Sequence, residues 1–260
     1  MQIAGKVILI TGGSGGIGAA CAKAFRERGA KLSLTARSAD RLQALAGDET
    51  LVTPGDITDP ETRRRVVDRT LERFGQIDIL INNAGVGLYC PSWKAAEPEV
   101  RQMFEVNFFA ALWLTQLVVP HMQERRSGMI VTVSSIAGRI PLPWFTLYSA
   151  TKYACGCFTE GLRMELRRYG IRTMTVCPGY AKTGFQDAVL LGEPPEQVQG
   201  GKKYFAVTAE ECAAAIVRGV ERDARTVMTP AIGWLVVAFH RLFPSISEAV
   251  MARVNERGPA

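Results

Sequence analysis

Lys6-Val7-Ile8-Leu9-Ile10-Thr11-Gly12-Gly13-Ser14-Gly15-Gly16-Ile17-Gly18 is the stretch that decides the fold. Its first half is an unbroken apolar run, the pattern of a parallel strand buried on both faces. Its second half is rich in glycine, and a helix over 15–28 follows, closed by Gly29. Glycines between a strand and a helix let the backbone turn tightly and approach a pyrophosphate, which then rests on the helix N-terminus. A glycine turn without a ligand is the competing reading. The strand–turn–helix setting favours dinucleotide binding.

Outward from this unit the alternation continues. Strands are predicted at 31–36, 50–53, 77–81, 129–134, 171–177 and 226–228, and helices at 39–46, 58–74, 98–123, 147–169 and 209–222. That order predicts a single doubly wound parallel β-sheet with helices on both faces. Ligands of such sheets bind beyond the carboxyl ends of the strands. The unusual residues gather there: Arg37, Asp56, Asn82 to Gly85, Ser134 and Ser135, Pro178 and Gly179.

A chain of 260 residues buries enough apolar surface to need no disulfide or metal staple. With 47% apolar and 22% charged residues, disorder, collagen and coiled coil are excluded as its main character. No apolar run approaches the roughly 20 residues of a spanning helix. A net charge of +6 is too modest to require a nucleic-acid partner, and none is expected. The arginine clusters at 63–65 and 125–126 read as solvated helix faces. Six cysteines without a CxxC, and two histidines, give no zinc-ligand spacing, so no metal is expected. Reduced thiols indicate a reducing, cytoplasmic compartment. The N-terminal run reads as a strand and not as a signal peptide.

Tyr148 and Lys152 stand four apart, on one face of a predicted helix, with Ser135 thirteen residues upstream of Tyr148. A free phenol titrates near ~10, too high for efficient proton exchange at neutral pH. A neighbouring ammonium favours the phenolate and lowers that value. A serine hydroxyl can hold a substrate oxygen beside the phenol. The four-spacing alone is weak; joined to the glycine turn and Ser135 it is not coincidence.

These residues resemble the short-chain dehydrogenase/reductase family over roughly 6–228. The matching motifs are TGGSGGIG at 11–18, Asp56 in GDIT, NNAG at 82–85, Asn107 in EVNFF, Ser135 in VSSIAG, YSATK at 148–152 and PGYAKT at 178–183. The resemblance implies a Rossmann-type domain over 1–230, a substrate lid at about 182–206 and a helical tail over 231–260. It implies Tyr148 as general acid or base, Lys152 as its activator and a ribose ligand, and Ser135 as the group that orients the carbonyl. Asn107 would hold a relay water, though a structural amide bonded to backbone is an open alternative. The implied cofactor contacts are Gly12, Ser14, Gly16, Ile17, Gly18, Asp56, Ile57, Asn83, Ala84, Gly85, Pro178, Gly179, Ala181 and Thr183, with Tyr148 and Lys152 at the nicotinamide.

Cofactor choice has a physical argument. An acidic residue after the second strand would bond the ribose 2′-OH of NAD and repel a 2′-phosphate. Here that place holds Arg37, a planar fork suited to phosphate. NADP(H) is therefore expected over NAD(H), even though Gly15 stands where some members carry a second basic residue. An apolar carbonyl compound or secondary alcohol is the expected substrate, with Leu88, Tyr89, Ile136, Leu142, Trp144, Phe145 and Phe185 as candidate walls. A homodimer or homotetramer is expected. Other readings are an NAD(H)-preferring dehydrogenase and a non-catalytic dinucleotide-binding regulator. The tail segment 232–243 is apolar almost all round, and Pro244 is expected to break it. A packed helix, a cap over the pocket and a peripheral membrane contact compete for it.

Overall fold

The computed structural model describes residues 1–182, 185, 189, 190, 192 and 206–256, and of 181, 182 and 254–256 only the backbone. Seven parallel strands form one sheet: β1 (Val7–Thr11), β2 (Lys31–Thr35), β3 (Thr50–Val52), β4 (Ile79–Asn82), β5 (Gly128–Val133), β6 (Ile171–Pro178) and, after two short strands, β9 (Thr226–Thr229). Their order is β3-β2-β1-β4-β5-β6-β9. The order reverses between β1 and β4, which opens a crevice at their carboxyl ends. The expected doubly wound sheet is the one found.

The period-two alternation of a strand sends neighbouring residues to opposite faces. Ile8 and Ile10 join one core cluster, packed against α1 (Gly16–Arg26) and α7 (Ala209–Glu221). Leu9 joins the other, under α3 (Pro60–Phe74), α5 (Ala110–Glu124) and α6 (Thr146–Leu166). Each such fully buried aliphatic side chain stabilises the fold by roughly 1.5–3 kcal/mol. The remaining helices are α2 (Ala39–Gln43), α4 (Glu97–Phe104), α8 (Gly233–Leu242) and α9 (Pro244–Glu256). A π-helical turn, Glu105–Phe109, joins α4 to α5.

Three features were not read from the sequence. The continuous helix Glu97–Glu124 is long and apolar enough to cross a membrane by composition, although no uninterrupted apolar run is. Its residues Leu114, Val118 and Met122 are core, which is how a packed helix comes by that composition. The short strands β7 (Tyr180–Lys182) and β8 (Ala206–Thr208) pair as a second, two-stranded sheet that was not expected. The chain also does not stop being helical at Pro244, because α9 begins there.

Candidate active site

The crevice at the β1/β4 switch point is built on a hydrogen-bonded frame. Thr11 Oγ1 accepts from the backbone N–H groups of Asn83 and Ala84, each at 3.0 Å. Asn83 Nδ2 donates back to the carbonyls of Thr11 and Gly12. The turn after β1 and the turn after β4 are thereby one unit. Gly12 has φ +65, and a Cβ on it would stand 2.9 Å from Asn83 Nδ2. A side chain there would be strained and would push the two turns apart.

The same turn fits a pyrophosphate. Gly15 caps α1 without any side-chain hydrogen bond, so the first N–H groups of the helix have no side-chain partner. A Cβ built on Gly15 meets nothing within 4 Å. Open space over uncapped N–H groups at a positive helix end is what a phosphate requires. Ser14, Gly16, Ile17 and Gly18 lie along this turn and the first residues of α1. Arg37 follows β2, is exposed, and makes no ion pair among the described residues. Its guanidinium is therefore available.

Asp56 and Ile57 sit in the loop after β3. Asp56 Oδ1 accepts from the Thr58 N–H and hydroxyl at 2.9 and 2.8 Å, which shapes the loop from within. Helix α3 clasps it from below. Arg63 donates to the carbonyls of Ile57 at 2.8 Å and Thr58 at 2.7 Å, and Arg65 to that of Pro54 at 3.2 Å. Arg63 is only 7% exposed. The reading of this cluster as a solvated face is thus wrong for Arg63. Arg125 likewise pairs with buried Asp78 at 3.2 Å. The missed signal was periodicity: Arg63 lies on the stripe with Val66, Val67 and Thr70, all buried.

The residues beyond β5 meet those of α6. Ser135 Oγ accepts from the Ala137 N–H at 3.1 Å, donates to the Pro178 carbonyl at 3.4 Å, and hydrogen bonds with Tyr148. Ser134 Oγ donates to the Lys152 carbonyl at 2.7 Å, pinning α6 to the end of β5. Lys152 is buried, with Nζ 3.0 Å from the Val133 carbonyl and 5.5 Å from the centre of the Tyr148 ring. A Cβ on Gly85 would stand 3.3 Å from both Lys152 Nζ and Asn107 Oδ1, so the NNAG turn passes directly over the lysine.

Burial raises the Tyr148 phenol well above its ordinary value, and the hydrogen bond with Ser135 offsets this only in part. Burial also disfavours the Lys152 ammonium. Desolvation is the largest cause of that rise, and it keeps the proton on the Tyr148 phenol in this closed geometry.

Asn107 is buried in the π-helical turn. Its Oδ1 accepts from the Val86 N–H at 2.8 Å, and its Nδ2 donates to the Val86 carbonyl and to Thr151 Oγ1, both at 3.0 Å. The carboxamide holds backbone in place, the alternative left open above. Its main-chain carbonyl accepts from the Cys155 thiol at 3.1 Å. Cys155, one turn beyond Lys152, was not anticipated.

Around Tyr148 lies a stack of rings. Phe145 stacks on Tyr89 and on Tyr148, with 4.1 Å between centroids in each pair. Phe185 meets Tyr148 edge-on at 5.7 Å. Burial pushes the Tyr89 phenol up to about 12. Leu88, Leu142 and Phe185 join the same apolar cluster, whereas Ile136 packs with the cluster under α8. Pro178 ends β6, and the Gly179 N–H donates to the Thr229 carbonyl at 2.7 Å. Ala181 pairs with Val207 through its backbone. Thr183 and most of the expected lid at 182–206 lie outside the described residues. Of that segment, Val189 bridges to Gly87.

A parallel sheet with a pyrophosphate-ready turn at its switch point, and a serine, tyrosine and lysine gathered at the next strand ends, defines a dinucleotide-dependent oxidoreductase. Residues 6–193 match the short chain dehydrogenase family, and the chain belongs to it. It is 32% identical to "11-beta-hydroxysteroid dehydrogenase-like 2" of Arabidopsis thaliana over 90% of this chain and 77% of that one. It is 31% identical to human "Dehydrogenase/reductase SDR family member 7", over 92% of this chain and 74% of that one. A crystal structure of a short chain dehydrogenase from Burkholderia cenocepacia J2315, in complex with NADP, superposes with a TM-score of 0.81 at 30% identity, covering 98% and 99% of the two chains.

Proposed function

We propose that this oxidoreductase transfers a hydride between NADP(H) and a carbonyl or secondary alcohol of an apolar compound. The observation that carries the reading is the meeting of Ser135, Tyr148 and Lys152 at the ends of β5 and α6, beside a turn ready for pyrophosphate. The bound nicotinamide would supply or accept the hydride. Tyr148, holding its proton, donates it to the substrate oxygen in reduction and takes it back in oxidation. Ser135, already fixed through Ala137 and Pro178, holds that oxygen beside the phenol. Lys152 lies under the NNAG turn, placed to bond a ribose hydroxyl and to replenish the Tyr148 proton. Asn107 acts by fixing Val86 and the backbone over the lysine.

NADP(H) is preferred to NAD(H), on the support of Arg37, exposed just after β2 and suited as a planar fork to a 2′-phosphate. The adenine would rest on the loop of Asp56 and Ile57. The stacked rings of Tyr89, Phe145 and Tyr148 favour a flat, apolar substrate. We further propose a body at 1–230 with the tail at 231–260 as its extension, and a homodimer as the minimum assembly. The dimer face would be that of α5 and α6, where Phe108 and Phe109 of the adjoining π-helical turn form a partly exposed aromatic cluster with Trp113 and Phe158.

The test is Tyr148→Phe against wild type, with a panel of apolar ketones and NADPH consumption as readout. The variant should bind NADPH normally and lose turnover by a factor of about 100 or more. Near-normal turnover would overturn the assignment.

A further inference from the structure

Arg139 brings a charge into the interior beside the candidate active site. It stands directly after the short 3-10 turn Ile136–Gly138, which Ser135 caps. Its backbone N–H donates to the Ile136 carbonyl at 2.9 Å and so closes that turn. Its side chain is only 12% exposed. The guanidinium meets Glu160 of α6, with Nη2 donating to Oε1 at 2.6 Å. It also hydrogen bonds with the Cys177 side chain of β6. Its Nε is buried and has no hydrogen-bond partner among the described residues.

Each of the three segments so joined carries part of the site. The turn carries Ser135, whose Oγ accepts from the Ala137 N–H at 3.1 Å and donates to the Pro178 carbonyl at 3.4 Å. Helix α6 carries Tyr148 and Lys152, with Glu160 about two turns beyond Lys152. Strand β6 carries Cys177 immediately before Pro178. The turn lies tightly on the helix: a Cβ on Gly138 would stand 2.6 Å from the Lys152 carbonyl, an approach only glycine allows. The guanidinium carbon of Arg139 would in turn stand 4.0 Å from a Cβ on Gly156 of α6.

Stability alone is a poor reason for this charge. Removing an arginine from water is costly, and an apolar side chain of similar volume often serves a fold as well. Glu160 is 48% exposed, so the pair is only partly shielded from solvent. The cluster beside it, of Ile140, Cys177, Met228 and Val237, is apolar, and apolar contact has no direction. What a guanidinium adds is a planar fork that bonds in two fixed directions at once. One direction here is α6 and the other is β6.

We infer that Arg139 is a positioning residue: by joining the Ser135 turn to α6 and to the end of β6, it fixes the Ser135 hydroxyl relative to Tyr148. Its effect on turnover rests on the oxidoreductase reading; its hold on Ser135 does not. Two readouts on the full chain separate them. Hydrogen exchange reads the hold. In Arg139→Met the Ala137 N–H, bonded to Ser135 Oγ, should exchange about tenfold faster or more, while β1 and α3 exchange as in wild type. Turnover of NADPH with the apolar ketones reads the consequence. There kcat should fall about ten- to a hundredfold, with NADPH affinity within about twofold of wild type. Arg139→Lys, which keeps the charge toward Glu160 but lacks the fork, should recover part of both. Glu160→Ala, at a half-exposed position, leaves the core intact and should shift both the same way by less. Unchanged exchange at Ala137 in Arg139→Met overturns the inference whatever the turnover. So does an unaltered kcat alongside faster exchange, local or throughout the core, which leaves Arg139 a role in stability alone. Faster exchange at Ala137, with no turnover by wild type on any ketone, supports the hold on Ser135 and overturns the oxidoreductase reading instead.

Discussion

Arg63→Met should weaken NADPH binding while sparing catalysis. The substitution keeps the aliphatic stem that packs on the stripe of α3 and removes two charge-assisted hydrogen bonds, to the Ile57 carbonyl at 2.8 Å and the Thr58 carbonyl at 2.7 Å. Such bonds contribute about 1.5–3 kcal/mol each where the acceptor is buried. Ile57 and Thr58 are half-buried, so water recovers part of the loss. A net effect of about 2 kcal/mol follows, or roughly thirtyfold in an equilibrium constant. That effect falls on the loop carrying Asp56 and Ile57, because the cofactor must then select its ordered form from a wider ensemble. The dissociation constant of NADPH, followed by its fluorescence, should rise about ten- to thirtyfold, with kcat within about twofold of wild type. Arg63→Lys, with one donor group in place of a fork, should recover only part of the affinity. An unchanged dissociation constant with a lowered melting temperature would show that Arg63 serves the stability of α3 alone. A fall in kcat at unchanged affinity would trace its action to Glu105 in the π-helical turn, whose charge it also feels.

Two further predictions follow from exposed features. Arg37→Ala should weaken NADPH by roughly ten- to a hundredfold and NADH by far less, and equal weakening of both would show that Arg37 does not read the 2′-phosphate. Light scattering at micromolar concentration should give at least twice the mass of one 28.4 kDa chain, and Trp113→Glu on the half-exposed face of α5 should lower it; a wild-type mass of one chain would refute the proposed dimer.

What the sequence made legible, it did through periodicity and through motifs with a built-in geometry. Unbroken apolar runs such as 7–11 have one stable use, a strand covered on both faces, and the doubly wound parallel sheet followed from alternation. The strands β7 and β8 were not legible, since three residues are too few to carry a period. Pro244 was read as a stop because proline interrupts helices, but at the first position of a helix it has no N–H to lose, and there it begins α9. Arg63 was read by composition, as part of a charged run, when its spacing already placed it on the buried stripe of its helix.

The site residues were found by type, and type leaves open which atom of a residue acts. Asn107 is the clearest instance. Its carboxamide makes three hydrogen bonds, two to Val86 and one to Thr151, so it stiffens the backbone that passes over Lys152. What it can still offer the reaction is its main-chain carbonyl, and here the Cys155 thiol donates to that oxygen at 3.1 Å. The thiol is buried and burial raises its pKa, so it stays protonated and acts as a donor at neutral pH. A water bonded to the Asn107 carbonyl would share its acceptor with an S–H group, and a proton path through that water would then be tied to the packing of α6 one turn beyond Lys152.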